Sequence, residues 1–271
     1  MRAITLVLAA LAALACGAAA HAATPAGTAA TAYDCHEQLL TMSDGVRLFG
    51  WVRESQPQQP RPVLLTIQLY TNNSCPGSGW SLISPSVEDQ MTVVNVSARG
   101  TGPSEGLYDA WGPRDEEDVA AVIAWARTQP WSNGTIVLHG LSGAGQFIMH
   151  GLNEPGVAAA IPMSACLDLY RCSFRESGVY SPLLGLGFLQ LIVQGHDAGA
   201  AIQARLGTGA NPPAAEQKAA IQGSATRLVE NPIYNAEWAQ RSVLGSLKSS
   251  RVPVFYTTAN FDLAQSWARP S

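Results

Sequence analysis

The chain has 271 residues, of which 47% are hydrophobic and only 13% charged, with a formal net charge of −4. That much apolar material suits one large globular domain with an insertion and excludes disorder for the bulk of the chain. Its Lys and Arg residues are scattered, so no basic stripe is available to neutralise phosphates, and nucleic acid is excluded as a partner.

Arg2 precedes an apolar run over residues 4–20, and Ala20-His21-Ala22 then places small residues around a cleavage site. Residues 1–22 therefore read as a secretory signal peptide, and the protein is predicted to be secreted or periplasmic. Two alternatives are a membrane anchor and lipid attachment at Cys16. The Ala-rich core is shorter than the roughly 20 apolar residues of a span, and Ala13 stands where lipidation signals usually carry Leu. Cleavage leaves Cys35, Cys75, Cys166 and Cys172, an even number in an oxidising compartment. Two disulfides are expected, with three connectivities open, and buried free thiols are the alternative. Pairing of Cys166 with Cys172 would close a small local loop. No pair has metal-ligand spacing, and neither a metal nor any other cofactor is expected.

Residues 23–36 begin with Ala, Thr, Gly and Pro in no periodic order and read as a linker. Two strands follow over residues 37–53, joined at Ser43-Asp44-Gly45, an Asp-Gly turn between apolar stretches. A Gln/Pro-rich stretch separates this hairpin from a continuous apolar run over residues 63–69, which ends in Tyr70. A second such run covers residues 91–96 and leads into Ala98-Arg99-Gly100-Thr101-Gly102-Pro103, where no regular element can form. Short apolar runs ending in Gly-rich loops are the pattern of parallel strands buried on both faces. The acidic run Asp115, Glu116, Glu117 and Asp118 then precedes Val119, Val122, Ile123 and Ala126 at helical spacing. Carboxylates in a first turn complement the helix dipole, so the run reads as a helix start and not as a metal site.

Further strands are expected over residues 135–139, 157–163 and 252–258, with a helix over 146–153. The segment 173–250, rich in Ala, Leu, Gln and Gly, reads as a helical cap. Residues 37–172 and 251–271 then form the core of an α/β fold, a mostly parallel sheet with helices. Within it, Gly140-Leu141-Ser142-Gly143-Ala144-Gly145 lies between a strand and a helix. A serine hydroxyl is a poor nucleophile until a base takes its proton, so it must project from a tight turn that base and substrate can reach. Glycine two residues before the serine and small residues after it let strand and helix pack closely, as in a nucleophile elbow. Ser142 is thus the candidate nucleophile, and the Gly143 N–H is placed to donate to a developing oxyanion.

These strings carry a resemblance. The chain resembles the X-Pro dipeptidyl-peptidase and cocaine esterase family of α/β-hydrolases, in consistent order from about residue 37 to 264. The matching strings are Ser43-Asp44-Gly45-Val46, Arg99-Gly100-Thr101-Gly102 with Ser104-Glu105-Gly106, and Gln129-Pro130-Trp131-Ser132-Asn133-Gly134 leading into Gly140-Leu141-Ser142. Ala160-Ile161-Pro162, Asp168-Leu169-Tyr170 and Val252-Pro253-Val254 leading to Phe261-Asp262 follow. The resemblance implies the α/β-hydrolase fold and a Ser, Asp, His triad with Ser142 as nucleophile and Asp262 as the acid. It also implies that the Tyr70 hydroxyl completes the oxyanion hole with Gly143. The substrate would be a small ester, or a peptide cleaved after proline.

The family's histidine follows the acid by a few tens of residues, and a β-sandwich domain follows that, whereas this sequence runs nine residues past Asp262. The chain is therefore expected to be truncated, with impaired activity. His139 and His150 sit on rigid elements directed away from Ser142, and His196 lies in the cap, where it could overhang the site. A non-catalytic binding protein, or an inactive fragment, is the rival reading. Peptidase and esterase are not separated by the sequence: the cap carries Asp197, Glu216, Glu230 and Glu237, but nothing in the sequence aims one at Ser142. It leaves the oligomeric state equally open.

Overall fold

The computed structural model describes residues 32–70, 72, 74–77, 81, 83–176, 179–180, 187–208 and 212–258. The signal-peptide reading, most of the linker and Asp262 lie outside the described residues.

Strands β1 (Tyr33–Thr41) and β2 (Arg47–Ser55) form the expected antiparallel hairpin, closed by Met42 N–H donating to the Val46 carbonyl at 2.8 Å. β1 begins inside the span read as linker, because Tyr33 to His36 pair with β2 from Ser55 to Val52. That pairing partner lies some twenty residues on and leaves no local periodicity to read. Strands β3 (Arg61–Gln68), β4 (Thr92–Ser97), β5 (Ser132–Leu141) and β6 (Val157–Met163) complete a sheet of order β1-β2-β4-β3-β5-β6, with β4, β3, β5 and β6 parallel. β3 and β4 are central: Val63, Leu64, Leu65, Val93 and Val96 are fully buried, as a strand covered on both faces requires. Residues 252–258 extend the sheet beyond β6 through bridges Ala160 to Val254 and Met163 to Thr257.

Helices α1 (Pro85–Glu88), α2 (Pro113–Arg127) and α3 (Gly143–His150) belong to this part of the chain. Val119, Val122, Ile123 and Ala126 bury the predicted stripe of α2, and Pro113 occupies its first turn. The acidic run does start this helix, but Asp115 and Asp118 face inward. Asp118 meets the Arg99 guanidinium at 2.7 and 2.8 Å, and Arg99 also reaches Asp44 at 2.8 Å. One arginine thereby fastens the hairpin turn, the Gly-rich loop and α2 together. Burial, and then the charges of Asp118 and Asp109, push the Asp115 carboxyl well above the usual carboxylate range. Helix α3 starts three residues before the predicted span and stops at His150, since Ser142 itself is its N-cap and Gly151 its C-cap.

After β6, a π-helical turn (Tyr170–Phe174) and the short hairpin β7 (Arg175–Glu176) and β8 (Val179–Tyr180) lead to helices α4 (Phe188–Ala198), α5 (Ala200–Leu206), α6 (Ala214–Val229), α7 (Ala236–Ala239) and α8 (Leu244–Ser249). Two disulfides form. Cys35–Cys75 ties β1 to the segment after β3, and Cys166–Cys172 closes the loop after β6, with Cα separations of 6.3 and 5.9 Å.

Candidate active site

Ser142 follows β5 at φ 59° and ψ −125°, a conformation that costs energy for any residue with a Cβ and is held by its surroundings. Those surroundings are specific. Ser142 N–H donates to the Met163 carbonyl of β6 at 2.8 Å, and the Ser142 carbonyl accepts from Gln146 N–H at 3.2 Å. At Gly140, a Cβ would lie 2.5 Å from the backbone of Ala144 and 2.6 Å from that of Gly145. Glycine there lets the returning helix α3 pass against the strand, which leaves Ser142 at the carboxyl edge of the sheet.

Tyr70 follows β3 and stands beside this turn. Its phenol hydrogen-bonds the Ser142 side chain and accepts the Gly143 N–H at 3.2 Å. Burial raises its pKa, and the bonds from Ser142 and Gly143 only partly oppose that shift. The hydroxyl therefore stays protonated and able to donate. The structure thus brings Ser142, Gly143 and Tyr70 together, and the predicted Asp262 is outside the described residues.

Two residues not singled out by the sequence reading complete the support of the turn. Trp111, at φ 58° after Ala110 at φ 29°, donates its indole N–H to the Gly143 carbonyl at 3.1 Å. Arg241 is buried, donates from Nε to the Ala110 carbonyl at 3.2 Å, pairs with Asp109 at 2.9 Å, and offers its own carbonyl to Gln146 Nε2 at 3.1 Å. Neither has a local sequence signal. A lone Trp in a loop and a lone Arg 130 residues later reveal their partnership only when the chain is folded.

Of the described histidines, His36, His139 and His196 have polar partners and His150 is buried. The His139 ring lies 3.2 Å from the Thr66 hydroxyl, and burial lowers its pKa to about 4, against the opposing effect of the Ser81 carbonyl. Burial likewise lowers His150 to about 4. His36 lies on the hairpin, 3.8 Å from Glu54. His196 Nε2 is 2.7 Å from Gln217 Oε1 and 3.2 Å from Gln203 Nε2. Gln203 donates to the Gly102 carbonyl at 2.6 Å, and Gln217 to those of Ser104 and Gly106 at 3.1 and 3.2 Å. His196 is thus an interior member of the network that docks α4 to α6 on the Gly-rich loop. At Gly195, a Cβ would come within 2.8 Å of the Tyr70 backbone, so α4 also rests directly on the residue that supplies the phenol.

Residues 44–268 match the X-Pro dipeptidyl-peptidase (S15) family. The chain belongs to that family. It is 26% identical over 252 residues to the cocaine esterase of Rhodococcus sp. (strain MB1 Bresler), covering 83% of this chain and 43% of the esterase. Among solved structures it is similar to an aminopeptidase from the marine sediment archaeon Thaumarchaeota archaeon, with TM-score 0.67, 18% identity, and coverage of 92% of this chain and 47% of the other. It is also similar to an α-amino acid ester hydrolase, with TM-score 0.63, 20% identity, and coverage of 90% and 46%. The chain spans less than half the length of each of these relatives. Their likeness establishes the α/β-hydrolase fold, as the strand order and the Ser142 turn require.

Proposed function

We propose that Ser142 is the nucleophile of a serine hydrolase that cleaves an ester, or a peptide bond after proline, through an acyl-Ser142 intermediate. The observation that carries this reading is the meeting of three groups at one point: the Ser142 side chain, the Gly143 N–H and the Tyr70 phenol. Ser142 Oγ attacks the carbonyl carbon and gives its proton to a base. The carbonyl oxygen becomes an oxyanion, which the Gly143 N–H and the Tyr70 O–H stabilise by donating to it in place of their bond to each other. The protonated base gives that proton to the leaving oxygen or nitrogen, and the carbonyl re-forms as its bond to the alcohol or amine breaks. Water, giving a proton to the same base, then attacks the acyl-serine and releases the acid and Ser142. Asp262, following the last paired segment, is the proposed acid that orients the base. Export through residues 1–22, to a secreted or periplasmic destination, belongs to the same reading.

A second reading is a non-catalytic binding protein or an inactive fragment that keeps this pocket without turnover. It is favoured by the surroundings of the described histidines: His36, His139 and His196 meet Glu54, Thr66 and Gln217, and His150 is buried, which leaves the base unassigned among the described residues. Hydrolysis of p-nitrophenyl butyrate and of an X-Pro p-nitroanilide by wild type and Ser142→Ala separates the two. Turnover that vanishes in Ser142→Ala supports the hydrolase, and equal rates in both proteins support the second reading.

A further inference from the structure

We infer that the recess beside Ser142 is a pocket for a short, uncharged acyl group, so that the site takes neutral esters in preference to substrates with an ammonium next to the scissile carbonyl. This rests on the assignment of Ser142 as nucleophile. The recess has a volume of about 180 Å³. It is bounded by Leu141 and Ala144, which flank the Ser142-Gly143 pair, and by Tyr70, whose phenol bonds both. A carbonyl carbon on Ser142 Oγ, with its oxygen toward Tyr70 and Gly143, would meet this recess through Leu141, Ala144 and Tyr70 of its wall. The group still attached to that carbon after the leaving group departs is the acyl chain.

The rest of the lining comes from Met163 of β6, from Thr66 and His139 of the sheet, and from Gln68 and Ser81. Among the described residues no carboxylate, Lys or Arg lines it. His139 is neutral at ordinary pH, because burial holds it at about 4. The carboxylate behind Ser81 is Glu88, whose Oε2 takes the Ser81 hydroxyl at 2.6 Å while its Oε1 faces Arg53 at 2.8 Å. In the helical segment, Asp197 pairs with Lys218 at 2.6 Å and Glu237 with Arg241 at 2.9 Å. Among the described residues, an ammonium entering the recess would lose its hydration without an anion to replace it. The size is also limiting. A cavity of about 150 Å³ accepts a benzene ring, so this recess suits an acyl chain of roughly four to six carbons.

The test is binding of two inert acyl mimics to the whole protein, read by NMR of Leu and Met methyl groups. Butyramide is neutral, and alaninamide is similar in size but carries an ammonium. Butyramide is expected to shift the Leu141 and Met163 methyl signals in wild type and in Ser142→Ala alike, and alaninamide to bind at least about tenfold more weakly. Leu141→Trp and Met163→Trp fill the recess and should each abolish the shifts. Leu141 is 46% exposed, so its replacement leaves the core untouched. Equal binding of the two amides, or no shift of these methyls with either, would overturn the inference.

Acylation by p-nitrophenyl esters, followed by intact mass, separates this proposal from the one beneath it. Butyramide binding as described, without acylation of Ser142, keeps the pocket and refutes the hydrolase. Acylation that is as fast with an alanyl ester as with a butyryl ester keeps the nucleophile and refutes the pocket.

Discussion

The sheet and the helical segment hold the Ser142 turn by different means. On the sheet side the grip is apolar and backbone-to-backbone: Leu138 and Ile148 are fully buried, Gly140 lies against Ala144, and Ser142 is hydrogen-bonded to β6. On the other side the grip is polar. Gln203, Gln217 and Arg241 reach across to loop carbonyls between residues 102 and 110. The first kind of contact tolerates solvent poorly but is indifferent to protonation and geometry at single atoms. The second specifies orientation, and each lost partner leaves a buried carbonyl unsatisfied.

The largest expected effect comes from breaking the sheet's grip. Leu138→Ala removes a fully buried side chain beneath the turn and should cost about 2–5 kcal/mol, read as a fall in the urea midpoint. On the same side, His150 should make stability depend on pH. Its folded pKa is about 4 against an ordinary value of 6.5. The unfolded chain therefore takes up a proton below pH 6.5 that the folded chain refuses until about pH 4. This contribution is fully present above pH 6.5 and is lost as pH falls, by roughly 3 kcal/mol in all. His150→Leu should flatten that part of the pH dependence in urea unfolding.

Gln217→Leu probes the polar grip. It strips donors from the carbonyls of Ser104 and Gly106 and a partner from His196, at a cost of about 1–3 kcal/mol. It should raise amide exchange in α4 to α6 while leaving β3 and β5 protected. Trp111→Phe keeps the buried ring and removes the bond to the Gly143 carbonyl. It should cost about 1 kcal/mol.

The same contrast explains what could be read from the sequence. The hairpin at Asp44-Gly45, the apolar runs of β3 and β4, the stripe of α2 and the Gly140 to Gly145 turn are local patterns, and each became the element it suggested. Tyr70 was legible only through family resemblance, since a tyrosine at a strand end has no signature of its own. The docking of Gln203 and Gln217 was not legible, because their carbonyl partners lie more than 100 residues earlier. The inward turn of Asp118 was not legible either, since the Arg99 that draws it inward belongs to a different loop.

The most direct test of the central claim is reaction of the purified protein with a fluorophosphonate, followed by intact mass, in wild type and Ser142→Ala. A single adduct is expected in wild type and none in Ser142→Ala. A wild-type protein with native circular dichroism and no adduct would contradict it, and would leave the non-catalytic reading of this pocket in its place.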